Sequence, residues 1–286
     1  MILESRFGEQ KMIFLSETDE YVEAAELMGA AAAHKLDVHL VIDKPVTEVD
    51  SKLVTEALTS VSKLTVKNNL VYNYDVEILS DEQFDHLFAS MEKGEKIMDE
   101  VRLINLDLTG INQERLANCF VTKIKRLTLD AAESDNVMLD RETFISKLLQ
   151  DSANIKLSNL ILINIDLFQN VDEMSCTNMA NALCKVENVM LSGDFRFTSQ
   201  IAKALVKNIL EKPIIIKTLI IDSDYVIDFR EICSPQDLKS VFAKMTTMRV
   251  DGQFTMEQLV AVESLSDVEV KYGQFQVIKK GSSESL

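Results

Sequence analysis

A short residue pattern recurs along this chain and restricts its fold more than any other feature. Residues 124–130 read IKRLTLD, and close variants such as LSNLIL, VENVML and IKTLII follow it. Ten copies align on one apolar anchor position, and the steps between anchors range from 20 to 37 residues. Repeats of this length indicate stacked supersecondary units. The anchors are Ile13, Val38, Leu64, Val101, Leu127, Leu160, Val189, Leu219, Met248 and Val268.

The segments between the copies have the periodicity of helices. In SDEQFDHLFASMEK, apolar residues fall at i, i+3, i+4 and i+7, which is one face of a helix, and Ser80 or Asp81 is placed to cap it. In SPQDLKSVFAKM, Ser234 is the predicted N-cap and Pro235 lies in the first turn. Each unit is therefore a short strand followed by a helix, and strands joined by helices pair in parallel.

Polar and apolar residues alternate within the predicted strands. In the copy at 124–130, Leu127 and Leu129 point inward while Arg126, Thr128 and Asp130 point outward. A doubly wound sheet would bury both strand faces and would read as continuous apolar runs. The alternation instead predicts a parallel sheet with helices on one face and water on the other, repeated as a solenoid.

The residues of one copy carry a resemblance to a known family. VSKLTVKNN fits the pattern LxxLxLxxN with Val61, Leu64, Val66 and Asn69, and so resembles the leucine-rich repeat. Its helix-containing spacing of about 28 residues is similar to that of the ribonuclease-inhibitor-like subclass, which also occurs in the sensing arms of NOD-like receptors. The resemblance implies an α/β horseshoe solenoid with the parallel sheet on the concave face and the helices on the convex face.

No linker stands out and no low-complexity segment occurs before residue 281, so one continuous domain is predicted. Residues 1–280 are expected to form a leucine-rich-repeat solenoid of about nine to ten irregular repeats. The segment VKYGQFQVIKK is expected to close the stack, and residues 281–286 to be a disordered tail. Asp194 and Asp224 stand where the family has asparagine, which suggests that those turns are looser.

Two copies admit a second register. LINLDLTGI can be aligned on Leu106, and LINIDLFQN can be aligned on Ile165, which places Asn170 at the asparagine position. We prefer the register with Val101 and Leu160 as anchors because it spaces the repeats more evenly.

Charge and composition exclude several classes of function. The formal net charge is −16, which argues against nucleic acid as a partner and favours attraction to a protein with a basic surface. No apolar run approaches the roughly 20 residues of a membrane helix, and the first residues lack the features of a signal peptide. No membrane partner is predicted, and the cytosol or the nucleus is the expected location.

Motifs that carry chemistry are missing from the sequence. The three histidines are scattered, the four cysteines form no CxxC pair, and scarce glycine makes a phosphate-binding loop improbable. The many carboxylates have no spacing that separates them from a solvated surface. We therefore predict no catalytic residue, no metal and no cofactor, with reduced buried thiols at the cysteines.

The outward strand positions predict where a protein partner binds. The middle outward position is apolar in three successive repeats, and adjacent strands lie about 4.8 Å apart, so these side chains form one patch. An exposed apolar patch with a polar rim indicates an interface, although β propensity alone could also explain it. The predicted partner-binding residues are Arg102, Ile104, Arg126, Thr128, Ile161, Ile163, Met190, Ile220, Asp222, Arg249 and Asp251.

Taken together, these features predict a non-catalytic intracellular scaffold that binds a protein on its concave sheet. Two narrower alternatives follow from the resemblance: a sensing or autoinhibitory arm of a NOD-like receptor, and the substrate-recruiting part of a ubiquitin-ligase adaptor. An α/β enzyme with a ligand crevice at the strand ends is the less favoured reading, because its strands would be buried on both faces.

Overall fold

The structure is a computed structural model, and its described part divides into two compact units. Unit 1 comprises residues 1–147 and 154–157, and unit 2 comprises residues 148–153 and 158–286. In both, the described chain is α/β, with a mostly parallel open sheet. The described residues are 11–15, 38–42, 61–67, 77–93, 96–131, 139–150, 154–165, 172–193, 197–223, 226–271 and 276–279.

In the described part of unit 1, five strands form a parallel sheet in the order β1-β2-β3-β5-β7. Two short strands, β4 and β6, form a second parallel pair beside it. The strands are β1 (Lys11–Leu15), β2 (Val38–Ile42), β3 (Lys63–Lys67), β4 (Glu77–Ile78), β5 (Met98–Ile104), β6 (Leu106–Asp107) and β7 (Ile124–Asp130).

The helices of unit 1 begin at polar caps. These helices are α1 (Asp81–Lys93), α2 (Gln113–Lys123) and α3 (Arg141–Gln150), the last of which crosses the boundary between the units in the sequence. Ser80 and Gln83 form a capping box at α1: the backbone N–H of Ser80 donates to Gln83 Oε1 at 2.6 Å, and that of Gln83 donates to Ser80 Oγ at 3.4 Å. Of the two predicted caps, Ser80 and Asp81, the structure places Ser80 in that role.

Helices α1 and α2 are joined by an aromatic core and by one arginine. The rings of Phe84 and Phe88 lie 4.8 Å apart, and the ring of Phe88 lies 6.3 Å from that of Phe120. At the rim of this cluster, Arg115 of α2 donates from Nε to both carboxylate oxygens of Glu92 on α1, at 2.7 and 2.8 Å. The surrounding carboxylates raise the pKa of Arg115, so the guanidinium stays charged.

Among the residues that the structure describes in unit 2, six strands form a sheet in the order β8-β9-β10-β12-β14-β13. Strands β8, β9, β10 and β12 are parallel, and the short β11 pairs with the end of β12. The strands are β8 (Asn159–Ile163), β9 (Asn188–Gly193), β10 (Thr218–Ser223), β11 (Ile227–Asp228), β12 (Thr247–Gln253), β13 (Val268–Lys271) and β14 (Gln276–Lys279).

The described residues of unit 2 form four helices, and each has a side-chain N-cap. They are α4 (Glu173–Leu183), α5 (Ser199–Glu211), α6 (Pro235–Lys244) and α7 (Met256–Glu263), with Asp172, Thr198, Ser234 and Thr255 as the caps. A 3-10 turn, Phe229–Glu231, precedes α6. The predicted cap Ser234 and the proline in the first turn of α6 are confirmed.

Burial follows the predicted alternation along the strands of unit 2. In β8, β9 and β12 every second side chain is fully buried, and the intervening residues are half-buried for most of each strand. Leu160, Val189, Leu219 and Met248 form one buried row, paired strand to strand. The register with Leu160 as anchor is therefore confirmed.

The register is also confirmed in unit 1, with one correction. Leu64 pairs with Val101, and Val101 pairs with Leu127, whereas Leu106 lies in the separate strand β6. In β2, however, the residue aligned with Leu64 is Leu40, not the predicted anchor Val38. Because side chains alternate with a period of two, a shift of two residues keeps the same face inward, and the pattern alone does not distinguish the two positions.

The last predicted copy does not continue the parallel stack. The parallel series was expected to run on to Val268, but β14 pairs antiparallel with both β12 and β13 and so lies between them. Met248 and Val268 both face Lys279 in this arrangement. The segment predicted to close the stack therefore supplies a strand of the sheet.

A left-handed backbone position recurs just after the strands. Asn105 and Asn164 have φ of 56° and 55°, and Gly193 has φ of 94°. Each follows its anchor by four residues, one residue before the position where the family pattern places asparagine. Several sequence predictions lie outside the described residues. They concern the predicted early helices, the predicted tail, and Asn69, Asn170, Asp194 and Asp224.

Candidate functional site

The open face of the unit 2 sheet carries the predicted apolar row. Ile161 pairs with Met190, and Met190 pairs with Ile220, so the three side chains lie side by side on adjacent strands. All three are half-buried. The prediction that they are adjacent is confirmed, and their exposure is lower than a fully solvated face would give.

The row continues into charged and apolar residues on the next strands. Ile220 pairs with Arg249, and Arg249 pairs with Ile278 of β14. The sequence pattern missed Ile278, because the segment that contains it was interpreted as an end cap. The segment 276–279 has only four residues, which is too short for its pattern to identify an antiparallel strand by itself.

Polar residues border the apolar row on both sides. On one side, Asn188 Nδ2 donates to Asn159 Oδ1 at 2.9 Å across the β8–β9 pair. On the other side, Ser192 pairs with both Ile163 and Asp222. The hydrogen bond holds the amide side chains of Asn188 and Asn159 together across the two strands.

One ion pair lies at the end of the apolar row. Arg249 Nη2 is 3.3 Å from Asp222 Oδ2, and both side chains are about two-fifths exposed, at 39% and 40%. An exposed pair of this kind contributes little stability by itself. Its effect is to hold the arginine over the sheet, next to Ile220. Asp251, two residues after Arg249 on the same strand, is half-buried.

The open face of the unit 1 sheet has a different composition. Its rows are paired as Lys63–Glu100–Arg126, Thr65–Arg102–Thr128 and Lys67–Ile104–Asp130. The side chain of Arg102 is 47% exposed. Its Nε donates to Glu100 Oε1 at 2.6 Å. Ile104, the predicted apolar contact on this face, is half-buried between Lys67 and Asp130.

Thr128 corrects one expectation for this face. It was predicted to be open to solvent, but only 8% of it is exposed, as is also the case for Thr65. Both threonines pair with Arg102 on the strand between them, and Thr65 Oγ1 lies 2.8 Å from His39 Nε2. Because so little of Thr128 is exposed, it offers almost no surface to a partner.

The predicted partner-binding residues are divided between the two units. Arg102, Ile104, Arg126 and Thr128 lie on the open face of unit 1, and the other seven lie on that of unit 2. Within unit 2, the pairing brings Ile161, Met190, Ile220 and Arg249 into one row. Each face is thus a separate candidate surface.

The cysteines with shifted pKa values lie in or beside helices. Burial raises the pKa of Cys119 and Cys184 to about 12, and that of Cys233 to about 11, so these thiols stay protonated and unreactive. Partial burial lowers the pKa of Lys96, and the nearby Asp99 opposes this effect. Within the described ranges, no three His, Cys, Asp or Glu side chains are grouped so that they could hold a metal ion.

Comparison with known proteins adds no family to this description. No protein-family model and no curated protein matches the chain. Among the described helices, none has the length and apolar character required to cross a bilayer.

Proposed function

We propose that this chain is a non-catalytic intracellular scaffold that binds a protein partner on the open face of its sheet. In this proposal the chain is a leucine-rich-repeat horseshoe, with the sheet on the concave face and the helices on the convex face. The in-register row of Ile161, Met190 and Ile220 is the observation that carries the proposal.

The position of these three residues is the reason that they suggest a partner. The opposite face of the same strands already supplies the buried core, through residues such as Leu160 and Val189. Outward residues of a one-sided sheet are normally polar, because they meet water. Three half-buried apolar side chains in one row, bordered by Asn188 and by the Arg249–Asp222 pair, have the arrangement expected of the centre and rim of an interface.

The burial pattern favours this proposal over an enzyme with a doubly wound sheet. Strands of a doubly wound sheet are covered by helices on both faces. In β8 and β9, full burial is confined to alternate residues. A sheet with one accessible face suits the binding of an extended or irregular protein surface more than a crevice for a small substrate.

The experiment compares partner capture by wild type and by two double variants. Ile161→Asp/Ile220→Asp places charge in the apolar row. Met256→Asp/Val260→Asp is the matched control, because these residues of α7 are 64% and 59% exposed and the change in net charge is the same. The full chain, with a photo-crosslinking residue at Met190, is exposed to lysate, and the crosslinked proteins are identified by mass spectrometry.

We expect proteins that crosslink to wild type and to the α7 control to be lost from the sheet variant, with all three chains melting at similar temperatures. A second variant, Ile161→Thr/Ile220→Thr, keeps the β-branched shape and guards against loss of folding. If the sheet variants capture the same proteins as wild type, the open face of unit 2 is not the binding surface.

A further inference from the structure

The charges on the open face of unit 1 differ from those of the whole chain. In the chain, acidic residues outnumber basic ones by 46 to 30. In the three paired rows of this face the balance is reversed, with four cations against two carboxylates. The cations are Lys63, Lys67, Arg102 and Arg126, and the carboxylates are Glu100 and Asp130.

One of the two carboxylates on this face is buried, whereas Asp130 is half-buried, as are Lys63, Lys67 and Arg126. Only 10% of the Glu100 side chain is exposed, and it accepts a hydrogen bond from Arg102, whose own side chain is 47% exposed. Glu100 therefore lies beneath the arginine that it holds. What a partner meets first is the guanidinium of Arg102, with Lys63 and Arg126 on the two neighbouring strands.

The cations follow a diagonal across the strands. Lys67 pairs with Ile104, two residues after Arg102 on β5, and Arg102 pairs with Thr128, two residues after Arg126 on β7. Because neighbouring strands lie about 4.8 Å apart and alternate residues of one strand roughly 6.6 Å apart, neighbouring cations on this diagonal are roughly 8 Å apart. A segment that crosses the strands along the diagonal could bring acidic side chains to Lys67, Arg102 and Arg126 at the same time.

We propose that the open face of unit 1 binds an acidic segment of a protein partner. This inference rests on the proposed function, since it takes the sheet faces as binding surfaces, and it specifies the partner's chemistry. It reverses the expectation from the net charge of −16, which favoured a basic partner. The charge of one face decides the contact at short range, because screening limits the influence of distant charges to about 8–10 Å at physiological ionic strength.

A peptide suits this face better than a nucleic acid. A nucleic acid carries charge along its whole length, and its segments beyond the face would meet a protein of net charge −16. A short acidic segment can place its carboxylates within the cationic rows alone.

The test is a binding titration with the full chain at low ionic strength. The probe is a short fluorescent peptide of alternating glutamate and serine, and the same peptide with glutamine in place of glutamate is the uncharged control. The face variant is Lys67→Glu/Arg126→Glu. The matched variant is Lys203→Glu/Lys207→Glu, which makes the same charge change at exposed positions of α5.

We expect the glutamate peptide to bind wild type and the α5 variant with affinities within about twofold, and the face variant at least about tenfold more weakly. Its affinity for wild type should also fall as salt is added. Lys67→Gln/Arg126→Gln, which removes the charges without reversing them, should give an intermediate loss. Thermal melting of each variant checks that it is folded.

Three results would overturn the inference. The first is that the glutamine peptide binds as tightly as the glutamate peptide. The second is that the face variant and the α5 variant lose affinity for the glutamate peptide equally. The third is that a single-stranded RNA competes for the face as well as the acidic peptide does. The Ile161→Asp/Ile220→Asp chain separates this question from the proposed function, because it should still bind the peptide. If protein capture depends on Ile161 and Ile220 but the glutamate peptide binds the face variant as tightly as wild type, only the present inference fails.

Discussion

At the scale of single residues, the backbone at the ends of β5, β8 and β9 adopts a conformation that most side chains avoid. Gly193 has φ of 94°, and a Cβ added there would lie 1.9 Å from Asn164 Oδ1 on the neighbouring strand's turn. Asn164 itself has φ of 55°, and its backbone N–H donates to the carbonyl of Ser192 at 2.8 Å. Two left-handed residues are thus packed against each other at adjacent turns.

We predict that Gly193→Ala lowers the free energy of unfolding by about 1–3 kcal/mol, because a left-handed φ and a steric clash act together. In an Asn164→Gly background the cost should be smaller, since the clashing oxygen is removed while the φ is unchanged. Urea denaturation of the wild type, the two single variants and the double variant measures the coupling. An equal cost in both backgrounds would mean that the two turns do not touch.

The buried thiol of Cys119 gives a second prediction at this scale. The residue is fully buried in α2, and burial raises the pKa of its thiol from 9.0 to about 12. The folded state therefore holds the proton more tightly than the unfolded chain does. The resulting stabilisation is complete below pH 9 and is lost as the pH rises from 9 towards 12.

We expect the stability advantage of wild type over Cys119→Ala to shrink by about 1 kcal/mol between about pH 8 and pH 10. The packing loss caused by the smaller side chain is the same at both pH values, so it cancels in the difference. Urea unfolding of both chains at the two pH values measures it. Parallel behaviour of the two chains would show that the thiol does not titrate differently in the folded state.

Single residues also show where sequence reasoning reached its limit. The inward anchors such as Leu64 and Leu160 were predictable, because burial of one strand face imposes a period of two. The low exposure of Thr128 was not, since it depends on the residues that other strands and elements place around it. A pattern along one strand contains no information about which side chain lies across from it.

At the scale of elements, lysines connect the C-terminal ends of successive helices in unit 2. Lys185, just after α4, donates to the carbonyl of Leu149 in α3, at 2.7 Å. Lys244, at the end of α6, donates to the carbonyls of Ile209 and Leu210 in α5, at 2.7 and 2.8 Å. In each case a cation meets the free carbonyls at the end of a helix, where the helix dipole favours it.

The last of these connections comes from a strand. Helix α7 ends at Glu263 without a lysine, and Lys279 of β14 donates instead to the carbonyl of Phe242 in α6, at 2.9 Å. Only 7% of Lys279 is exposed. The antiparallel strand thus supplies the lysine contact to α6 that α7 lacks, and it also joins β12 to β13 in the sheet.

We predict that Lys279→Met lowers the free energy of unfolding by about 1–3 kcal/mol, because the α6 carbonyls lose a charged donor in a buried place. Methionine keeps the apolar stem of the side chain and so limits the packing loss. Lys203→Met, at an exposed position of α5, is the control and should change stability by less than about 0.5 kcal/mol. Equal effects in urea denaturation would show that water satisfies the carbonyls equally well.

Most elements were predictable, and the exception has a physical explanation. Helices such as α1 and α6 have strong caps and a clear apolar stripe, so their existence followed from local sequence. The direction of β14 did not, because the residue pattern of a four-residue strand does not distinguish parallel from antiparallel pairing. Its orientation is decided by the partners on both of its edges, β12 and β13.

At the scale of the whole molecule, the order of the strands followed from the repeat. Parallel pairing of each strand with its successor in the repeat holds within unit 1 from β1 to β7 and within unit 2 from β8 to β12. A net charge averaged over 286 residues, in contrast, was a poor guide to a local surface. The cations of the unit 1 face appear only when residues distant in sequence are placed side by side.

The lysine contacts between helices have a consequence for chemical labelling. An amine whose hydrogens are engaged by buried carbonyls is shielded from acylating reagents until that junction opens. The rate at which Lys279 is acetylated in native conditions would therefore measure how often the final strand separates transiently from α6. Lys203, on an exposed helix surface, would supply the unprotected reference rate in the same sample.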